Sequence, residues 1–127
     1  MKKHYYWLKL KKDFYIQPSI KKLRKIAGGD TCVVIYQKIM LLTTETNGYF
    51  TFQGIEKTLE EELALILDEE IDNVKMTIGF MKANNLIEQQ QENKDKYILP
   101  DMLFLIGSES ESAKWVRDYR DRKKQAL

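Results

Sequence analysis

Residues 58–99 constrain the fold of this chain more than any other stretch. Thr58-Leu-Glu-Glu-Glu-Leu-Ala-Leu-Ile-Leu67 sets Leu59, Leu63, Ile66 and Leu67 at helical spacing. Thr58 stands at its head as N-cap, with Glu61 three residues on, the pattern of a capping box. Asp68 to Asp72 reads as a tight turn. Asn73 to Asn84 then repeats the helical pattern, with Val74, Ile78 and Met81 on one face. Asn84-Asn85 stops it, because asparagine tolerates the left-handed conformation at a helix C-terminus. Two short strand-like runs follow, Leu86–Gln89 and Lys96–Leu99, around the polar Gln91-Glu-Asn-Lys-Asp95.

That order predicts a winged helix-turn-helix, a mostly helical α+β fold with a small antiparallel sheet as its wing. The N-terminal third supplies a strand and helix extension. Tyr6, Leu8 and Leu10 alternate with Tyr5, Trp7 and Lys9, which is strand periodicity in β-favouring residues. One face of this strand, rings included, is expected to pack into the core; the alternative is a nucleic-acid arm in which Tyr5, Tyr6 and Trp7, interleaved with the N-terminal lysines, stack on bases. Pro18 opens a helix whose apolar face is Ile20, Leu23 and Ile26. Gly28-Gly29 closes it, and Asp30 or Thr31 caps the next helix. Cys32–Thr44 is apolar nearly all round, so it is expected to be the buried central helix, with Cys32 a small core residue. Asn47-Gly48 marks a turn, and Tyr49–Phe52 a strand that pairs with the wing.

Beyond the wing, Met102-Leu-Phe-Leu-Ile106 is too short to form its own core and must dock on the body or on another copy. Ser108 and Glu111 have capping-box spacing for a tail helix. That helix is laced with opposite charges four apart (Lys114–Asp118, Arg117–Asp121, Asp118–Arg122) and carries a narrow stripe of Trp115, Val116 and Tyr119. The expected division is a winged-helix domain over 1–107 and a charged linker-like helix over 108–127.

The net charge of +2 conceals three blocks. Residues 1–30 carry nine Lys/Arg against Asp13 and Asp30, and residues 45–75 carry nine acids against Lys57 and Lys75. The last twenty residues turn basic again. A basic–acidic–basic chain suits a nucleic-acid binder or one that pairs with copies of itself. The candidate DNA contacts are Lys21, Lys22, Arg24 and Lys25 on the basic helix. Asn73, Lys75, Met76, Thr77 and Lys82 follow on the second helix of the motif, with Lys94 and Lys96 on the wing and Arg117 and Arg120 on the tail. Asp68, Glu69, Glu70 and Asp72 cap the recognition helix dipole, yet they stand at the end such helices bring to the groove and would repel phosphates. Self-association is expected through Tyr6, Leu8, Met102, Phe104 and Ile106.

Catalysis finds no support. His4 is the one histidine, which leaves a His-based triad or zinc site without ligands. Gly28-Gly29 lacks the following Lys-Ser/Thr of a phosphate loop. The acidic runs Glu60–Glu62 and Asp68–Asp72 lack a calcium-loop pattern and read as solvated faces. No metal, no cofactor and no enzymatic activity are expected. With no apolar run near 20 residues, no signal-like start and a single cysteine, a cytoplasmic protein with no membrane partner is expected.

Tyr5-Tyr-Trp-Leu-Lys-Leu10, Ile20-Lys-Lys-Leu-Arg-Lys-Ile-Ala-Gly-Gly-Asp-Thr31, Gly54-Ile-Glu56, Glu62-Leu-Ala64, Asn73-Val-Lys75 and the basic tail after Ser-Glu-Ser together resemble the N-terminal domain of phage replisome organizers. These proteins initiate replication of phages and prophages of low-GC Gram-positive bacteria, and their N-terminal fold is similar to that of DnaD-type primosomal proteins. The resemblance implies a winged-helix domain that recognises or remodels the phage origin inside the bacterial host and self-associates. It also implies a second domain, engaging single-stranded DNA and the host helicase-loading machinery, so that this chain is expected to be one domain of a longer protein. Two readings stay open: a duplex-binding origin-recognition domain, and a self-assembly module whose DNA binding lies elsewhere. A winged-helix transcriptional regulator is a third.

Overall fold

In the computed structural model, residues 4–126 are described. The element order is β1 (His4–Leu8), α1 (Pro18–Arg24), α2 (Gly29–Leu42), β2 (Tyr49–Thr51), α3 (Leu59–Leu67), α4 (Ile71–Ala83), β3 (Glu88–Gln89), β4 (Lys96–Ile98), β5 (Ile106–Ser110) and α5 (Glu111–Ala126). The fold is α+β: helices dominate, and the strands form two small antiparallel sheets.

The helix-turn-helix forms where the capping signals put it. The Glu61 backbone N–H donates to Thr58 Oγ1 at 3.1 Å, fixing the start of α3. Asp68 ends α3 in the left-handed region at φ +55°, and Glu69 N–H returns to the Ala64 carbonyl at 3.0 Å. The turn is shorter than expected, because α4 begins at Ile71 and absorbs Asp72 into its first turn. At the other end of α4, Asn85 takes the left-handed conformation, and Leu86 N–H still bonds the Met81 carbonyl at 2.8 Å. Leu86 therefore finishes the helix and Ile87 enters the core, which leaves Glu88 and Gln89 to pair as β3.

The sheet expected as the wing has three strands in the order β2-β4-β3, with Tyr49 and Glu88 both opposite Ile98. Behind it lies the core, formed by Ile20 and Leu23 of α1, Ile35, Ile39 and Met40 of α2, Leu63 of α3, Val74, Ile78 and Met81 of α4, and Leu99 and Met102. Burying a side chain of this kind contributes roughly 1.5–3 kcal/mol, so these side chains together hold the helices in place.

Several expectations are corrected. The cap of α2 is Gly28, at φ +78°, rather than Asp30 or Thr31. The chain turns so tightly here that a Cβ on Gly29 would lie 1.8 Å from the Leu23 carbonyl oxygen. Helix α2 is not buried all round: Val34 and Leu41 are 46% and 53% exposed, because no element among the described residues covers that side. Ser108–Glu111 is not a capping box. Ser108 to Ser110 belong to β5, drawn into pairing by the backbone groups of β1, and Ser110 Oγ accepts the Ala113 N–H at 3.1 Å to start α5. The division expected after Gly107 thus falls inside a strand.

Met102 docks on the chain's own core and is 1% exposed, so it cannot line a surface for another copy. The rings of β1 also depart from expectation. Tyr5, Tyr6 and Trp7 stay 36–41% exposed, and Leu8 is the residue of this strand that packs against the core.

Candidate nucleic-acid interface

Helix α4 turns one stripe outward: Asp72, Lys75, Met76, Gly79, Lys82 and Ala83, spaced three and four apart. Lys75 and Lys82 sit on this stripe as expected. Thr77 does not. It is fully buried and donates its hydroxyl to the Asn73 carbonyl at 2.8 Å, which removes it from the candidate contacts. Asn73 is half-buried at the start of α4. Its carbonyl also accepts from Cys32 Sγ at 3.8 Å, and its Oδ1 lies 3.8 Å from where a Cβ on Gly28 would be. The junction between α1 and α2 therefore abuts the N-terminal end of α4.

That contact brings the loop after basic helix α1 to the acidic N-terminal end of α4. Lys21 and Lys22 on α1 and Lys25 at its C-cap are exposed, and among the described residues none is engaged in an ion pair. Arg24 is different. Its Nε donates to Asp30 Oδ1 at 2.8 Å, and this hydrogen bond with its charge raises the arginine pKa further above its ordinary value. The guanidinium also lies 5.9 Å from the Tyr15 ring centre.

Of the acidic group at the turn, Glu69 is neutralised by Lys38 at 2.5 Å, which leaves Asp68, Glu70 and Asp72 exposed. On the wing, Lys94 is exposed at the hairpin tip, whereas Lys96 is half-buried with Nζ 4.4 Å from the Tyr49 ring centre. Hydrogen bonds shape the tip: Gln89 Nε2 donates to the Lys94 carbonyl at 2.7 Å, and Asp95 N–H to Asn93 Oδ1 at 3.1 Å. Arg117 and Arg120 are not part of this arrangement. They lie on α5, which packs against β1 and β5, and Arg117 bonds Glu109 at 2.9 Å.

Two features escaped the sequence. Glu62, read as part of a solvated acidic run, is fully buried; its carboxylate accepts the Gln53 and Ile55 N–H groups at 2.9 and 2.8 Å and pins the loop before α3. The other is the exposure of the β1 rings, which were expected in the core; Gly107 stands opposite Trp7. Of the expected self-association residues, Tyr6 and Phe104 are exposed at 38% and 78%, and Leu8 and Ile106 are paired with each other across β1 and β5. Among the described residues no cluster of His, Cys, Asp or Glu is placed to hold a metal, and no helix is long and apolar enough to cross a membrane.

The fold and its charged rim define a small α+β domain in which a helix-turn-helix and a hairpin share one core, with cations on α1, α4 and the hairpin tip. Over residues 7–127 the chain matches the N-terminal phage replisome organiser family, and it belongs to that family. No curated protein and no solved structure matches it.

Proposed function

We propose that this domain is a non-catalytic winged-helix module that binds duplex DNA at a phage replication origin within the bacterial host cytoplasm. The reading is supported by the contact of the α1–α2 junction with the start of α4, Gly28 against Asn73, together with the exposed cations Lys21, Lys22 and Lys25 at one element and Lys75 and Lys82 on the outward stripe of the other. Side chains on the stripe are suited to base edges in the major groove, while the cations of α1 and Lys94 of the wing neutralise phosphates. Those cations offset the repulsion from Asp68, Glu70 and Asp72. Through a further domain, the same protein would engage host helicase-loading proteins.

The test is a salt titration of duplex binding by fluorescence anisotropy. Replacing Lys21, Lys22 and Lys25 with Ala is expected to weaken binding and to flatten the slope of log K against log salt by about 0.9 for each phosphate no longer neutralised. An unchanged affinity and slope would remove α1 from the interface.

A second reading, self-assembly into dimers or larger species, is favoured by the exposure of Leu103 and Phe104, at 62% and 78%. Sedimentation from about 1 to 100 μM, the range in which modest interfaces populate, decides it. A monomer throughout would reject it.

A further inference from the structure

The β1–β5 ribbon and the helix that leaves it carry a concentration of exposed aromatic rings that the duplex-binding surface does not use. Trp7 lies against Gly107: a Cβ there would come within 2.1 Å of the indole Nε1. Only a glycine lets the ring rest on the ribbon's backbone, and the ring is still 41% exposed. Tyr5 shares the same ribbon face, two residues away, and Lys114 Nζ of α5 sits 5.4 Å from its ring centre. Next to Lys114 on α5, Trp115 stacks with Tyr119 one turn on, with centroids 6.1 Å apart and planes within 10° of parallel. They are 66% and 46% exposed. Lys123 Nζ follows at 5.5 Å from the Tyr119 ring, so ring, ring and cation climb one face of the helix.

Exposed rings that stack on one another and are flanked by cations read as a binding face. Its chemistry selects the partner. Within 111–126 the cations are Lys114, Arg117, Arg120, Arg122, Lys123 and Lys124, against Glu111, Asp118 and Asp121. That excess of positive charge complements a polyanion. The exposed apolar residues of α5 are Trp115, Val116 and Tyr119, two aromatic rings and no leucine, isoleucine or methionine. Flat rings flanked by cations suit unstacked bases, whose π-faces are open and whose phosphates follow the cations. A duplex offers no such faces, because its bases already cover one another.

We propose that the Trp115–Tyr119 face of α5 binds single-stranded nucleic acid. Bases stack on Trp115 and Tyr119, and Arg120 and Lys123 meet the phosphates. The proposal stands independently of the duplex reading, since it uses different residues.

The chain has two tryptophans, Trp115 in the stacking face and Trp7 on the ribbon, so its emission reports on the site. Titration of the 127-residue chain with oligo-dT and oligo-rU of about twelve nucleotides, within ordinary site sizes, is expected to give saturable quenching. Trp7→Phe, which leaves Trp115 as the sole reporter, is expected to keep that quenching. Stronger binding of dT specifies DNA, and equal binding specifies the chemistry common to both. Trp115→Ala with Tyr119→Ala is expected to lower affinity for labelled dT about tenfold or more. Trp115→Phe with Tyr119→Phe keeps the rings and is expected to retain most of it. Circular dichroism and duplex affinity are expected to stay at wild-type values in both. No quenching, or wild-type affinity for dT in the double alanine variant, would overturn the proposal. So would sedimentation in which the alanine pair abolishes only self-association.

Discussion

Lys38 reaches from α2 to Glu69 in the helix-turn-helix turn, 2.5 Å from its carboxylate, and the same ammonium donates to the Leu67 carbonyl at 3.2 Å. One cation thus closes the C-terminal end of α3 and ties the turn to the central helix. Positive charge at that end complements the helix dipole. Lys38→Ala is expected to destabilise the fold by about 1–2 kcal/mol, a modest figure because the lysine is 40% exposed. Urea denaturation measures it. The released Glu69 charge is also expected to weaken duplex binding, read by anisotropy at low salt.

Glu62 gives a larger effect. Removing its carboxylate takes the acceptor from two backbone N–H groups and empties the space of a fully buried side chain, although the loop it pins is itself exposed. Glu62→Ala is expected to cost about 2–4 kcal/mol, and Glu62→Gln, which keeps an acceptor, clearly less. Equal loss in the two variants would show that packing rather than hydrogen bonding holds the loop.

Gly79 stands in the middle of the outward stripe of α4 with nothing within 4 Å of an added Cβ. No internal packing requires it, and glycine in a helix interior is roughly 0.8–1 kcal/mol worse than alanine. Gly79→Ala is expected to raise stability by about that amount. Under the α4-groove reading it is also expected to reduce duplex affinity, because the new methyl stands where the helix backbone would approach the bases. A stabilised variant with unchanged binding would move the DNA off this stripe.

Burial pushes the Tyr36 hydroxyl up to about 12 from its ordinary 10.0, with a smaller contribution from the charge of Asp101. The folded state therefore holds its proton where the unfolded state has lost it. Stability is expected to be unaffected by this group below pH 10 and to fall as pH rises toward 12, by about 2 kcal/mol. Tyr36→Phe removes that part of the alkaline slope, measured by comparing denaturation midpoints at neutral pH and in alkali.

Residues 58–99 were legible in the sequence because their signals are local. A threonine cap, a 3.6-residue apolar period, an asparagine pair and a polar hairpin tip each act over a few positions, and each sits where the chain turns. The basic helix α1, opened by Pro18, was legible for the same reason. The candidate DNA residues were read less well. Lys21, Lys22, Lys75, Lys82 and Lys94 are exposed, but only the packed core decides that Thr77 turns inward and that Lys96 leans on Tyr49.

Sequence by itself determined the helices and the strands up to the hairpin, the turn between α3 and α4, and the blocks of charge, since backbone propensity and short-range side-chain bonds suffice for these. Tertiary structure alone decided that β1 and β5, some hundred residues apart, pair as a ribbon, that Met102 fills the core, and that Glu62 is buried while the rings of β1 are not. Such outcomes depend on which surfaces meet once the helices pack. A residue's own neighbours in the chain carry no record of what will be brought against it from far away.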